Sequence, residues 1–297
     1  MNLDFIAYPL GQFLNFIYNN LAFHIYGLAI IIFTIIIRLV LLPLTIKQYH
    51  STAKMQEIQP QIQQIQKRYK GDPEKLNQEL MKVYQENKVN PAGGCLPLLI
   101  QMPILIALYY VISQPLKFML GKSNEVIAQL FNAIPATAVE KIQGLRDISI
   151  LNYFTKHSED LANLGNVLTK GELINMKFLG LNLGMIPSYR PAALFGPLSG
   201  EYLALLILPI LACITTYIQS KIAMPASQAS ENKGQADVNA SMTRSMTIMM
   251  PIMTLIFAFT FPAGLSLYWV IGNIIQIFSQ MYINKFVLKK TKEVVNK

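Results

Sequence analysis

Residues His24–Ile46 read HIYGLAIIIFTIIIRLVLLPLTI, apolar except for Arg38 and a few small or edge polar groups. A helix of this length covers roughly 33 Å at 1.5 Å per residue, enough to cross the hydrocarbon core of a bilayer. Lipid offers the backbone no hydrogen-bond partners, so such a run must be helical. Four more apolar runs follow: Cys95–Leu116, Tyr202–Gln219 (within residues 202–220), Met246–Phe261 and Gly264–Phe286. The third covers roughly 26 Å, and both it and the fourth are short for a bilayer. Of 297 residues, 53% are hydrophobic and only 14% charged, against roughly 25% charged in a soluble domain. The mean hydropathy is +0.36. The expected fold is all-α, a polytopic membrane protein with a five-helix transmembrane bundle.

The segments between the spans carry the orientation signal. Residues 1–23 contain no Lys or Arg, so they lack the basic start of a secretory signal. Their apolar residues Phe5, Ile6, Pro9, Leu10, Phe13, Leu14 and Ile17 recur at helical spacing, which predicts an amphipathic helix on the external membrane surface. Residues 47–94 hold Lys47, Lys54, Lys67, Arg68, Lys70, Lys75, Lys82 and Lys88. The loop 221–245 holds Lys221, Lys233 and Arg244, and the tail 287–297 holds Lys289, Lys290, Lys292 and Lys297. The positive-inside rule then puts the N-terminus outside and the C-terminus in the cytoplasm.

Within 47–94, Met55, Ile58, Ile62, Ile65 and Tyr69 form a narrow apolar seam, and Leu76, Leu80 and Val83 form a returning one. GDPE between them predicts Gly71 in a left-handed C′ position, Asp72 as N-cap and Pro73 in the first helical turn. The result is a cytoplasmic antiparallel helical hairpin, with Pro60 bending its first arm. NPAGG (Asn90–Gly94) breaks the chain before the second span. The external region 117–201 shows only amphipathic patches such as Val126–Phe131.

Arg38 lies about 12 Å along the helix axis from the inner end of its span. It either snorkels to the inner headgroups, helped by a bend at Pro43, or faces a water-filled cavity, as intramembrane charges usually do. The five spans contain no Asp or Glu, so its counter-charge must come from water, carbonyls or a visiting group. On the last span Ser266, Trp269, Asn273, Gln276 and Gln280 are spaced 3, 4, 3, 4 and share one face. Thr215, Thr216 and Gln219 form a patch on the third span, and Gln101 lies one turn inside the second. Such residues can be interhelical contacts of about 1 kcal/mol or less each. Five in register, beside the other patches, predict a wetted surface.

Other chemistries find little support. No P-loop, HExxH or paired-carboxylate motif is present, and none of His24, His50 and His157 lies securely inside a span, as an intramembrane Ser–His protease requires. Cys95 and Cys213 sit in apolar runs and imply neither a disulfide framework nor a metal site. The Met-rich SMTRSMTIMM (Ser241–Met250) reads as adaptable packing or a contact surface rather than a metal path. The net charge of +9 serves orientation against anionic lipid, with no specific nucleic acid expected. No cofactor is implied. A small-solute or anion transporter using Arg38 is the rival class, but it calls for intramembrane carboxylates or an inverted repeat. A passive assembly scaffold using the hairpin is the third.

Five stretches, in order, carry a family resemblance. They are IIIRLVLLPLTIKQYHSTAKMQEIQPQIQQIQKRYKGDPEKLNQELMKVY, NPAGGCLPLLIQMPILIALYYVI, FLGLNLGMIPSYRP, LPILACITTYIQSK and FPAGLSLYWVIGN. Together they resemble the YidC family of membrane protein insertases, which has mitochondrial and chloroplast relatives. The likeness covers about residues 1–290 and points to the short five-span bacterial form, without the extra first span and large periplasmic domain of the Gram-negative form. It implies an insertase and chaperone of the bacterial plasma membrane that works without ATP and is not an enzyme. It also implies a hydrophilic groove open to cytoplasm and lipid, centred on Arg38, with Gln219 and Trp269 at matching positions. Thr215, Thr216, Asn273, Gln276 and Gln101 are the further groove candidates. Met102, Leu105, Tyr268 and Trp269 match a hydrophobic slide on the second and fifth spans. The expected partners are nascent membrane proteins and the bilayer. The hairpin (Ile58, Ile62, Ile65, Tyr69, Gly71, Asp72, Pro73) and the basic tail are candidate docking sites for ribosome, signal recognition particle or its receptor, and the Sec translocon is a further expected partner.

Overall fold

The computed structural model describes residues 3–89, 96–138, 145–196, 199–223, 238–283 and 285. The expected break at Asn90–Gly94, Cys95, most of the loop 221–245 and the tail 287–297 lie outside the described residues. The helices are α1 (Asp4–Asn20), α2 (Tyr26–Val40), α3 (Leu42–Glu57), α4 (Gln59–Arg68), α5 (Pro73–Glu86) and α6 (Leu96–Ser113). They continue as α7 (Asn124–Ala133), α8 (Arg146–Lys156), α9 (Ser199–Leu205), α10 (Ile207–Ala223), α11 (Val238–Ala258) and α12 (Ala263–Tyr282). Among the described residues the sheet is a single antiparallel hairpin, β1 (Lys177–Phe178) with β2 (Leu181–Asn182).

By length and hydropathy, Ser199–Ala223, which is α9 and α10 taken together, is the one described helical stretch that could cross a membrane unaided. A second is gained if α2 and the start of α3 are taken together, although they are bent by 58°. Gln101–Ser113 and Thr247–Ala258 are shorter apolar helices. The run His24–Ile46 is therefore broken rather than straight. Pro43 has no N–H to give, and its ring crowds the carbonyl of Leu39, so the helix turns at Leu41. The Leu41 carbonyl is recovered by the backbone N–H and the hydroxyl of Thr45, at 3.0 and 2.9 Å.

α12 is the central strut. It packs against α2 on one flank and α10 on the other, and α10 in turn carries α11. α1 lies across α6 and α2, with Ala7, Gly11, Leu14, Ile17 and Tyr18 turned inward. This inward face differs from the one expected: Phe5 and Pro9 point outward, and the small residues Ala7 and Gly11 point in. Close approach explains the choice, because Gly11 abuts the backbone carbonyl of Phe118 and leaves no room for a Cβ. Gln12 Nε2 fastens the same contact, donating to the carbonyls of Phe118 and Met119 at 2.9 and 3.1 Å.

The core is concentrated at one end of the bundle, around Tyr26, Ile30, Phe33, Leu108, Ile112, Leu116, Phe118 and Tyr268. Burial along α2 is dense as far as Thr34 and along α12 as far as Asn273. Beyond those levels both helices are largely half-buried or exposed.

The region 145–196 caps the packed end. α8 is held there by Asp147, which is buried and accepts the N–H of Leu116 at 3.1 Å. Burial pushes this carboxyl up to about 6, against the opposing pull of Arg146 and the backbone N–H groups of Lys117 and Leu116. A folded-state value above the ordinary 3.8 means the native state binds more protons between those values, so stability falls as pH rises from about 4 to 6. Asp147→Asn should remove that slope and stabilise the cap at pH 7 by roughly 1–3 kcal/mol, an upper bound set by the size of the shift. Thermal unfolding of the purified protein across pH 4–7.5, with and without the substitution, checks both statements.

α4 and α5 pack on one another around Ile58, Ile62 and Val83, flanked by Met55, Ile65, Leu80 and Tyr84. Pro60 does more than bend the first arm. It sits in the first turn of α4 and separates it from α3 at Ile58. Asp72 caps α5, its Oδ1 accepting the N–H of Lys75 at 3.1 Å, with Pro73 following. Gly71 is a correction: its φ is not positive. The chain turns through a bond from the Asp72 N–H to the Tyr69 carbonyl (3.0 Å), which needs no left-handed residue.

Candidate functional site

Arg38 sits in the last turn of α2, just past the level where dense packing ends. Its Nη1 donates to Oε1 of Gln276 on α12 at 2.8 Å. Its Nε is buried and has no hydrogen-bond partner among the described residues. The guanidinium lies close against Gly272. A Cβ there would stand 2.6 Å from Nη2, 3.2 Å from Nε and 3.3 Å from Cζ. Gly272 and Gln276 are one helical turn apart, so α12 offers a bare backbone surface and a neutral amide to one cation. Past the bend at Leu41, the buried Tyr49 of α3 lies in the neighbourhood of Gln276 and Arg38, its hydroxyl without a hydrogen-bond partner among the described residues.

The other polar residues form separate groups. Asn273 is buried, and its Nδ2 donates to Oγ1 of Thr216 at 2.8 Å and of Thr215 at 3.2 Å. These bonds tie α12 to α10, the interhelical role that polar residues have in membrane bundles. Gln219 is half-buried one turn further along α10. Gln101 Nε2 donates to the Tyr268 hydroxyl at 3.0 Å, linking α6 to α12. Trp269 lines a small, mostly apolar cleft with Ala212, Thr254, Phe257, Ala258 and Ser266. It is two helical turns, about 10 Å along the axis, from Gln276. Of the slide candidates, Met102 is exposed while Leu105 and Tyr268 are buried.

The polar stripe therefore divides in two directions. Gln276 faces Arg38, and Asn273 faces the threonines. Gly272 and Tyr49 were not picked out by sequence reading. A glycine one turn from Gln276 on a polar face was a usable signal for Gly272. Tyr49 had none, because its approach depends on the bend.

The family described as the 60Kd inner membrane protein matches residues 16–291. The chain is 36% identical over 286 residues to "Membrane protein insertase YidC 2" of Bacillus anthracis, covering 95% of this chain and 80% of that protein. It is 32% identical over 293 residues to "Membrane protein insertase MisCA" of Bacillus subtilis, covering 97% and 81%. A YidC of Syntrophobacter fumaroxidans is 31% identical over 281 residues, which make up only 38% of its length. An all-α chain with apolar helices that matches these proteins along nearly its whole length belongs to the YidC family of bacterial membrane protein insertases.

Proposed function

We propose that this chain inserts nascent membrane proteins by receiving an acidic external segment of the substrate at Arg38. The observation that carries the reading is the state of this guanidinium. It lies where burial thins on both α2 and α12, it is held by a neutral amide, and its Nε has no partner among the described residues. A substrate carboxylate is a stronger acceptor than the amide of Gln276, since charge-assisted hydrogen bonds are roughly twice as strong as neutral ones. Arg38 exchanges one for the other. Moving an Asp to the bilayer centre costs about 2.5–3.5 kcal/mol on insertion scales, and the arginine offsets part of that. The substrate's apolar segment then partitions into lipid, which drives the step without ATP.

In this reading the Arg38 end opens to the cytoplasm and the packed end faces outside. The chain has five spans, with the N-terminus outside and the C-terminus inside. Gln219, Gln101, Thr215, Thr216, Asn273 and Trp269 belong to the groove walls, the first by hydration and the threonine–asparagine knot by fixing the spacing of α10 and α12. Exposed Met102 serves the slide, backed by Leu105 and Tyr268. The α4–α5 pair and the basic tail receive ribosome, targeting factors or the Sec translocon.

Single cysteines at Gln219 and Gln276, in a chain with Cys95 and Cys213 replaced by serine, test the open end. A water-soluble thiol reagent should label both from the cytoplasmic side and neither from outside. Protection from both sides contradicts a wetted groove. Gly272→Ala tests the seat: the new Cβ evicts a flexible side-chain end rather than backbone. Thermal stability should stay nearly unchanged while insertion of an acidic substrate falls several-fold, since small misplacements of a working group are costly.

A further inference from the structure

Among the described residues, the five large apolar side chains with the greatest exposure are Phe195 (87%), Leu179 (85%), Phe23 (81%), Phe5 (73%) and Tyr189 (70%). All five lie at the end of the bundle remote from Arg38. Phe23 lies three residues before the start of α2, and Leu179 tips the β1–β2 hairpin, whose Phe178 ring is pressed onto Gly27 near the start of the same helix. Tyr189 stacks edge-on to Phe259, just past α11, at 5.3 Å between ring centroids. Phe195 shortly precedes α9. Phe5 is in the first turn of α1, next to Asp4, which pairs with Lys117 at 3.0 Å just beyond α6.

Two of these residues occupy unfavourable backbone. Phe23 and Leu179 both have φ of 50°, in the left-handed region that Gly, Asn and Asp tolerate best. With Gly180 at φ 80°, Leu179 forms a hairpin turn in which both central residues are left-handed, the type that favours Asn-Gly. A turn facing water gains nothing from a large apolar side chain at such a position. A turn facing lipid does, because the exposed hydrocarbon is then removed from water.

We propose that Phe23 and Leu179 are membrane anchors, inserted among the acyl chains of the leaflet around the end remote from Arg38, with Phe195, Phe5 and Tyr189 completing the ring. Continuity favours lipid over a protein partner. The five come from separate segments on both flanks of α12, on the α1–α2 side and on the α9–α11 side. They extend the outward apolar faces of the same helices, where Ile25, Ile35, Ile207, Ile210 and Ile256 are also exposed. A single partner protein would cover one flank; a leaflet surrounds all of them. The hairpin then does two jobs: Phe178 clamps α2, and Leu179 sets the depth at which the clamp rides. The region 145–196 lies on the bilayer surface as a result.

The test uses the full chain in phosphatidylcholine/phosphatidylglycerol vesicles, with Cys95 and Cys213 replaced by serine. An environment-sensitive fluorophore is attached in turn to Phe23→Cys, Leu179→Cys and, as a polar control, Lys170→Cys, an exposed position on the same cap. The labels at 23 and 179 should emit to the blue of the label at 170. They should be quenched at least threefold more by lipid carrying a shallow doxyl group, and be protected from aqueous iodide. Iodide quenching at 179 as strong as at 170 overturns the proposal. So does protection at 179 from both quenchers, which would mean that protein, either this chain or a second copy, covers the turn. Unchanged circular dichroism of each labelled protein shows that the fold is intact, so a null result counts against the anchors.

Discussion

Arg38→Ala should lower insertion of a substrate with an acidic external segment by at least ~10-fold, while Arg38→Lys should keep most of it. The size follows from the cost of the guest. If the guanidinium offsets even half of the roughly 3 kcal/mol cost of a carboxylate in the membrane, its loss is worth about a factor of ten. Lysine keeps the charge but replaces a planar fork with a compact ammonium. It therefore keeps the attraction and loses the exchange geometry with Gln276. Reconstituted vesicles containing only this protein, assayed by protease protection of the inserted substrate, give the measurement. Equal activity of Arg38→Ala and the parent would remove the electrostatic role.

Gly11→Val should be the most damaging single change to stability, at about 2–3 kcal/mol or more. The Cβ it adds runs into the backbone carbonyl and carbon of Phe118, and backbone at a helix end cannot swing aside as a side chain can. Moving α1 away would also break both Gln12 bonds and uncover Leu14 and Ile17. Circular dichroism melts in detergent should show an earlier transition. A mild Gln12→Ala effect beside a severe Gly11→Val effect would locate the cost in the close approach rather than in the hydrogen bonds.

These residues show what a sequence can tell and where it stops. The apolar runs and the scarcity of charge made an all-α membrane protein legible, because period and length are local properties. Arg38 stood out as a candidate for the same reason, a charge in a run with no acid. The face of α1 was not. Helical spacing marks which residues align but does not choose between two apolar faces, and the choice here fell to Gly11 because a neighbouring carbonyl needed the space. The bend at Leu41 was half legible: Pro43 announces it, but the 58° angle and the return of Tyr49 toward Arg38 come from packing. The stripe on α12 was legible as a stripe and not as two groups, since the partner of each residue depends on where α2 and α10 stand. Asp147 gave no signal at all, because its burial is set by a helix end some thirty residues away in sequence.

Whether Arg38 and a substrate carboxylate meet is most directly tested by a double-substitution cycle. Insertion is measured for the parent and Arg38→Ala, each with a substrate whose external Asp is kept or changed to Asn. The prediction is strong coupling: removing Arg38 costs ~10-fold or more with the acidic substrate and less than about twofold with the neutral one, a difference above 1 kcal/mol. Equal losses with both substrates would contradict a carboxylate at Arg38 and leave the arginine a structural part of the bundle.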